Sequence, residues 1–202
     1  MKLYYAPGTC SLAPHIALIE IGASFDLERV DTRAKKTERG ADFLRINPKG
    51  YVPALELDDG EILTEGVVMQ QYIADLRPEA KLAPARGTKE RRRLEELLAF
   101  LSSEIHKSFS PLFAAATPDA YKMQLRERIA QRLDYLEQQF ADGRAFLTGG
   151  QFTIADAYFF THTTWAKTTG VDLARWPLVS GFAARVAARP SVQQAMKAEG
   201  VL

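Results

Sequence analysis

The chain has 202 residues, 47% of them hydrophobic, which is enough for a packed core and for two modest domains. Its formal net charge of +1, from 26 basic and 25 acidic residues, excludes a general attraction to nucleic acid or to anionic membranes. The only cysteine, Cys10, excludes an intramolecular disulfide and a thiolate zinc cluster, so any thiol exchange needs a second molecule.

Short strands and helices alternate over residues 1–78. Strand composition occurs at 2–5, 25–30, 52–57 and 61–63, and helical composition occurs at 11–22 and 65–76. An Asp-Asp-Gly turn at 58–60 predicts that the last two strands form an antiparallel hairpin. The order strand, helix, strand, hairpin, helix is typical of a thioredoxin-like domain.

The second half of the chain has a helical pattern only. Residues 79–88 follow Pro78, contain Pro84 and have few large apolar side chains, which predicts a linker. From residue 89 the apolar side chains recur at helical spacing as far as Pro111, where the helix ends or kinks. The basic strip 89–93 is interpreted as a solvated face or a subunit contact.

Three further helices are predicted. The first uses Thr117 as N-cap and Pro118 at its first helical position, and the second opens with a capping box at 153–156. The third covers 179–189 and is followed by a short terminal turn. Residues 89–202 are therefore predicted to form an all-helical domain.

Cys10 stands where a strand-like run and a Pro-Gly turn give way to a helix. Backbone N–H groups and the positive end of the helix dipole stabilise a thiolate at such a position. The sequence therefore predicts a pKa below the free thiol value of about 8.5. The alternative is that a lone cysteine acts as a small buried hydrophobic residue.

Five motifs follow one another along the chain: Tyr5-x-Pro7-Gly8-x-Cys10-Ser11, Asn47-Pro48-x-Gly50-x-Val52-Pro53-Ala54-Leu55, Leu63-Thr64-Glu65-Gly66, Glu104-x-His106-Lys107 and Thr153-Ile154-Ala155-Asp156. Together they resemble the glutathione S-transferases, specifically the bacterial cysteine-containing beta class. The resemblance covers essentially the whole chain. It implies an α+β thioredoxin-like N-terminal domain, an all-α C-terminal domain and a homodimer. It also implies glutathione as co-substrate, with no tightly bound cofactor.

The resemblance implies a glutathione site in the first half. A cis peptide before Pro53 would leave the Val52 backbone free to pair with the cysteinyl part of glutathione. The start of the helix at Glu65-Gly66 would bind the γ-glutamyl end, and Lys35 would meet the glycine carboxylate. The plainer alternatives are an edge-strand proline, an acidic residue complementing a helix dipole, and a solvated loop lysine.

His106 lies beside the apolar stripe of the predicted long helix. In the family this imidazole faces the thiol, where it accepts the thiol proton or stabilises the thiolate. The alternative is a hydrogen-bonded histidine at a domain interface.

Further residues implied by the resemblance are Ser11 near the glutathione sulfur, Lys107 as a glutathione contact, and Tyr5, Phe113 and Trp165 around an electrophile pocket. An aromatic residue at the last position is more often plain core.

Two residues depart from the family pattern. Ala99 stands where members often carry an asparagine that reaches the glutathione of the partner subunit, which puts that contact in doubt. Thr9 replaces a more usual alanine and adds a hydroxyl near the thiol.

The predicted function is a detoxifying glutathione transferase. It would join or exchange the glutathione thiol with small apolar electrophiles or mixed disulfides, with thiol-transferase or reductive dehalogenase side activity. The alternative is a non-catalytic binding or interaction protein that keeps the fold. The chain has no apolar run of about 18 residues and no signal-peptide pattern, so we expect a cytoplasmic protein without a membrane segment. Its three scattered histidines predict no metal site.

Overall fold

The computed structural model describes residues 1–202, and its contacts divide them into two units. The first unit comprises Met1–Leu82 together with Arg189–Leu202, and the second comprises Ala83–Ala188. The sequence assigned 89–202 as a whole to the helical domain. In the structure the C-terminal helix, Pro190–Glu199, packs against the first helix of the chain and so belongs with the first unit.

A five-stranded mixed sheet forms the centre of the first unit. Its strands are β1 (Lys2–Tyr5), β2 (Asp26–Asp31), β3 (Lys36–Thr37), β4 (Ala54–Glu56) and β5 (Ile62–Leu63). They lie in the order β3-β2-β1-β4-β5; β1 and β2 are parallel, and the other neighbours are antiparallel. The register pairs Leu3 with Leu27 and with Leu55. This arrangement confirms the thioredoxin-like fold expected from the order of elements.

Helices cover the sheet. They are α1 (Leu12–Glu20), α2 (Phe43–Ile46), α3 (Gly66–Leu76) and a 3-10 turn at Pro78–Ala80. The apolar positions of α1 and α3, among them Leu12, Ile16, Met69 and Ile73, are fully buried with Leu3 of the central strand. Burial of each such side chain stabilises the fold by about 1.5–3 kcal/mol.

Two elements of the first unit were not predicted, namely β3 and α2. β3 is only two residues long, and its charged Lys36 breaks the apolar alternation by which strands are recognised. Asp42 begins α2 by accepting the N–H of Leu44, an N-cap contact. Such short elements depend on tertiary packing rather than on pattern.

The second unit is entirely helical. Its elements are α4 (Lys89–Phe100), a π-helix (Leu101–His106), α5 (Lys107–Phe109), a 3-10 turn (Ser110–Phe113), α6 (Asp119–Phe140), α7 (Ile154–Thr164), α8 (Ala166–Thr169), a 3-10 turn (Leu173–Arg175) and α9 (Pro177–Ala187). The predicted apolar stripes are buried at positions that include Leu94, Leu98, Leu133 and Leu136. No helix of the protein combines the length and the apolar character needed to cross a membrane.

The helix starts agree in part with their predictions. Asp156 accepts the N–H of Thr153 at 2.8 Å, so the predicted capping box is present. The start predicted at Thr117 was wrong by one residue: Pro118 is the N-cap of α6, and the Thr117 hydroxyl donates to the carbonyl of Pro111. The predicted terminal turn is instead the ten-residue C-terminal helix.

Arg91 corrects the interpretation of the basic strip 89–93. Its side chain is 2% exposed, and its guanidinium donates to Glu95 and to the carbonyl of Pro84. A charge removed from water needs such partners. Arg91 therefore ties the start of α4 to the preceding segment and does not belong to a solvated face.

Candidate functional site

Cys10 lies in a tight turn between β1 and α1. The Leu12 N–H donates to the carbonyl of Thr9, and the hydroxyl of Thr9 donates to the carbonyl of Ala6 at 2.9 Å. Cys10 itself is partly buried, and its Sγ lies 3.3 Å from the carbonyl oxygen of Val52. The turn therefore places the thiol at the start of α1 and beside the chain segment that precedes Pro53.

Ser11 is enclosed within the same turn. It is 0% exposed, and its hydroxyl donates to the carbonyl of Ala6 at 3.1 Å and lies 2.9 Å from the hydroxyl of Thr9. The Ala6 N–H donates to the Ser11 hydroxyl oxygen. The hydroxyl is inaccessible and already paired within the turn, and the role of Ser11 near the glutathione sulfur stays a prediction. Ser11 shapes the turn that carries Cys10.

The peptide between Val52 and Pro53 is cis, as the sequence resemblance implied. Val52 is buried, lies outside β4, and offers its carbonyl to the Cys10 thiol. The loop before it is held by Asn47, whose amide donates to the carbonyl of Tyr51 at 2.7 Å. Side-chain bonding of this kind fixes a loop that has no ladder of its own.

Glu65 caps the start of α3 in an uncommon backbone conformation. Its φ is 66°, a left-handed value at a residue other than glycine, and such residues cluster at ligand sites because the strain must be held by the surrounding structure. Its carboxylate accepts from Nζ of Lys49 and from the hydroxyl of Tyr51, both at 2.7 Å. A Cβ added at Gly66 would lie 3.8 Å from Pro53, so this helix start adjoins the cis peptide.

The bonds to Glu65 change the titration of both partners. The hydrogen bond from Lys49 to Glu65 raises the pKa of Lys49 above its usual value, and the separate hydrogen bond from Tyr51 to Glu65 raises the pKa of Tyr51. Both side chains are substantially exposed. Near neutral pH the group therefore presents one carboxylate flanked by an ammonium and a phenol.

Lys35 lies on the loop between β2 and β3. Its Nζ donates to the carbonyl of Gly50 at 2.6 Å, and its own carbonyl accepts the N–H of Phe43. Lys35 thus contacts the same loop that carries Val52. The ammonium is partly buried and adjoins the proposed peptide-binding segment.

His15 joins the thiol turn to the C-terminal helix, a contact that the sequence did not reveal. The imidazole is 1% exposed and its Nδ1 lies 2.9 Å from Glu199, whose second carboxylate oxygen accepts the N–H of Gly8. Tyr5 packs against the same imidazole, with ring centroids 6.3 Å apart. Tyr5 is 8% exposed, and burial raises its pKa. Its role in an electrophile pocket stays a prediction.

His106 ends the π-helix of the second unit and is surrounded by aromatic rings. Its Nδ1 lies 2.7 Å from the hydroxyl of Tyr158, and its ring centroid is 5.1 Å from that of Trp165 and 5.3 Å from that of His162. Burial, reinforced by the positive charge of Lys107, lowers the pKa of His106 to about 4. The imidazole is therefore neutral near neutral pH, and one of its two ring nitrogens carries no proton.

Trp165 and Phe113 form the outer part of this cluster. Their rings meet edge to face at 5.7 Å; Trp165 is 6% exposed and Phe113 is 51% exposed. An exposed aromatic ring held by a buried one is an apolar contact surface. The structure thus brings together the two residues predicted from sequence. Ala99 is an exposed residue of α4.

Family models match nearly the whole chain. The glutathione S-transferase N-terminal domain matches residues 1–75, and the glutathione S-transferase C-terminal domain matches residues 73–190. The chain belongs to the glutathione S-transferase family. Glutathione S-transferase GstA of Escherichia coli O157:H7 is 44% identical over 201 residues, with 100% of both chains covered.

Solved structures of other glutathione S-transferases superpose closely. A structure labelled bacterial beta class, from Sphingomonas chungbukensis, is 46% identical with a TM-score of 0.97. A sphingomonad glutathione S-transferase in complex with glutathione is 48% identical with a TM-score of 0.96. Each comparison covers 100% of both chains. The family expectation is therefore confirmed, and the individual site residues remain predictions.

Four contacts of this glutathione S-transferase were missed by sequence reasoning, and one of them is the hydrogen bond between His106 and Tyr158. Lys49 and Tyr51 meet Glu65, and His15 meets Glu199. Lys49 and Tyr51 flank Gly50 within the second motif, so their position was a usable signal. The pairing of His15 with a residue 184 positions away had none.

Proposed function

We propose that this glutathione S-transferase binds reduced glutathione on its first unit and uses Cys10 as a reactive thiol. It would transfer or exchange the glutathione sulfur with small apolar electrophiles or mixed disulfides. The single observation that carries this proposal is the 3.3 Å contact between Cys10 Sγ and the carbonyl of Val52. A peptide that pairs with the Val52 backbone would bring its own cysteine sulfur close to Cys10.

The proposed glutathione contacts are distributed along the tripeptide. Val52 and Pro53 would hold the cysteinyl residue, the N-terminus of α3 at Gly66 would take the γ-glutamyl carboxylate, and Glu65 would take its ammonium. Lys35 would meet the glycine carboxylate. Support comes from the adjacency of Gly66 to Pro53 and from the carboxylate of Glu65, which already accepts the ammonium of Lys49.

Thiol exchange would proceed in two steps. The Cys10 thiolate attacks the glutathione sulfur of a mixed disulfide, so that a Cys10–glutathione disulfide forms and the other thiolate leaves and is protonated. A second glutathione thiolate then attacks that disulfide, releases oxidised glutathione and restores the Cys10 thiolate. This exchange consumes one free glutathione. Reductive removal of a halide from an aromatic ring would instead consume two: the carbon–halogen bond breaks, the halide leaves as an ion, the ring carbon gains a hydrogen, and the two glutathione sulfurs are oxidised to the disulfide.

Conjugation would instead use the sulfur of glutathione itself. Its thiolate attacks the electrophilic carbon and displaces the leaving group. For the residues of the second unit the proposal keeps the roles that the family resemblance implies: His106 would stabilise the thiolate, Lys107 would be a further glutathione contact, and Phe113 and Trp165 would be the apolar surface for the electrophile. The exposure of Phe113 supports that last assignment.

The proposal is tested by retention on immobilised glutathione followed by turnover of chlorodinitrobenzene and of a mixed disulfide of glutathione. We expect both retention and turnover. Retention without any turnover would favour the alternative, a non-catalytic binding protein with the same fold. Failure of both would remove glutathione as the ligand.

The homodimer, the cytoplasmic location and the detoxifying role belong to the same proposal. Sedimentation at micromolar concentration tests the first. The chain mass is 22.5 kDa, and we expect a species of twice that mass. A single species of 22.5 kDa would contradict the dimer.

A further inference from the structure

Three rings on one face of α7 and its C-cap pack against His106. Tyr158, His162 and Trp165 stand at positions i, i+4 and i+7, which share a face of a helix. Their ring centroids lie 5.9, 5.3 and 5.1 Å from that of His106. The imidazole therefore packs against three rings that share this face.

The start of α7 is itself anchored. The carboxylate of Asp156 accepts the N–H of Thr153 and the N–H of Leu147, both at 2.8 Å, and Asp156 is 0% exposed. Tyr158 follows two residues later and is 3% exposed. Its hydroxyl lies 2.7 Å from Nδ1 of His106, a short hydrogen bond between a buried phenol and a partly buried imidazole.

The two rings can share the proton of this bond in only two ways. A neutral imidazole carries one N–H and one acceptor nitrogen, and a phenol both donates and accepts. Since a phenol is the stronger acid of the pair, donation from the phenol to the imidazole is the favoured arrangement. His106 is neutral near neutral pH because burial lowers its pKa to about 4.

We propose that Tyr158 is a positioning residue whose O–H donates to Nδ1 of His106, so that Nε2 carries the imidazole proton. The only ring nitrogen left for a ligand is then a donor. The consequence for catalysis rests on the proposed glutathione activity. In that reaction His106 stabilises a thiolate by donating Nε2–H. The thiol proton leaves to solvent rather than to His106.

His162 does not compete for this role. It is 0% exposed, and neither ring nitrogen has a hydrogen-bond partner. Burial holds its pKa well below the usual value, so it stays neutral beside His106. It contributes ring contact, and the hydroxyl of Tyr158 supplies the polar contact that orients His106.

The first test reads the tautomer directly. Nitrogen NMR of the histidine-labelled protein at neutral pH, with the His106 signals assigned through His106→Gln, distinguishes a protonated Nδ1 from a protonated Nε2. We expect Nε2–H in the unmodified protein and a shift towards Nδ1–H in Tyr158→Phe. The matched control is Tyr135→Phe, which removes an exposed hydroxyl of α6 and should leave the tautomer unchanged. Nδ1–H in the unmodified protein overturns the proposal.

The second test is a double-mutant cycle on chlorodinitrobenzene turnover. Tyr158→Phe should lower kcat about tenfold, the scale of one lost hydrogen bond, with little change in KM for glutathione. In a His106→Gln background it should cause no further loss. An equal loss in both backgrounds would make Tyr158 merely structural. An unmodified protein with the expected tautomer but no turnover would overturn the proposed function and leave the positioning role intact.

Discussion

The turn that carries Cys10 and the cluster that holds His106 are built by different means. The turn uses main-chain carbonyls and hydroxyls, and the start of α3, which adjoins Pro53, carries the ion pair between Glu65 and Lys49. These groups come from short loops. The cluster uses aromatic rings from two helices, with one short bond between His106 and Tyr158. The first region is suited to recognising a peptide, and the second to placing one neutral imidazole beside an apolar surface.

The same comparison explains how the two regions respond to charge. Glu65 and Lys49 are about half exposed, so solvent screens their interaction. His106 and His162 are held among rings, and burial lowers the pKa of each. Substitutions in the turn should therefore alter binding and exchange, whereas substitutions in the cluster should also alter how stability depends on pH.

The largest effect is expected at Cys10. Cys10→Ala should abolish exchange with mixed disulfides of glutathione and only reduce, or spare, conjugation, because conjugation uses the sulfur of glutathione. Mass spectrometry after incubation with oxidised glutathione should show one glutathione adduct on the unmodified protein and none on the variant. An unmodified mass for the parent protein would contradict the adduct. Equal loss of both activities would make Cys10 a general catalytic residue.

Acidification should destabilise the protein through the His106 cluster. Because the pKa of His106 is lowered from 6.5 to about 4, the folded state binds fewer protons than the unfolded chain between these values. Stability should therefore fall as pH decreases from 6.5 towards 4, by on the order of 3 kcal/mol from this residue. Urea unfolding at both pH values measures the change. His106→Gln should lose less stability over this pH range. An equal loss of stability in the variant would contradict the assignment of this effect to His106.

Glu65→Gln should weaken glutathione binding about tenfold, because a partly exposed carboxylate loses its attraction for the ammonium of the ligand. Folding should change little, since the side chain is 55% exposed. Titration calorimetry and thermal unfolding measure the two quantities. Glu61→Gln, at an exposed hairpin position, is the control. Normal binding with a much lower melting temperature would show that Glu65 acts on folding alone.

The smallest effect is expected at Lys49. Lys49→Met removes an exposed ion pair with Glu65, and such pairs contribute little, so the affinity for glutathione should change less than about fivefold. The pKa of Tyr51 should also change, because Lys49 opposes the rise that Glu65 causes. Spectrophotometric titration of the phenol measures this shift. An affinity loss larger than that of Glu65→Gln would mean that Lys49 contacts glutathione itself.

Local sequence pattern was sufficient to predict much of the fold. The apolar repeats through Leu94, Leu98 and Leu133 predicted buried helix faces, and Thr153 with Asp156 predicted a capping box, since each depends on residues close in sequence. The cis peptide at Val52-Pro53 was implied by the family resemblance that the surrounding motif carries, and not by local pattern. Pattern was insufficient for β3 and α2, which are too short to show a period.

By itself, the sequence determined the order of most of the longer strands and helices and the buried stripes, because these rest on spacings within single segments. The family followed from five motifs in order along the chain. Only the tertiary structure decided that Ser11 is enclosed, that Arg91 is buried, and that the C-terminal helix belongs with the first unit. It also decided which rings surround His106. Tyr158 is 52 positions from His106, and Glu199 is 184 from His15. No local periodicity records such contacts, because chain folding brings these residues together and helix or strand geometry does not.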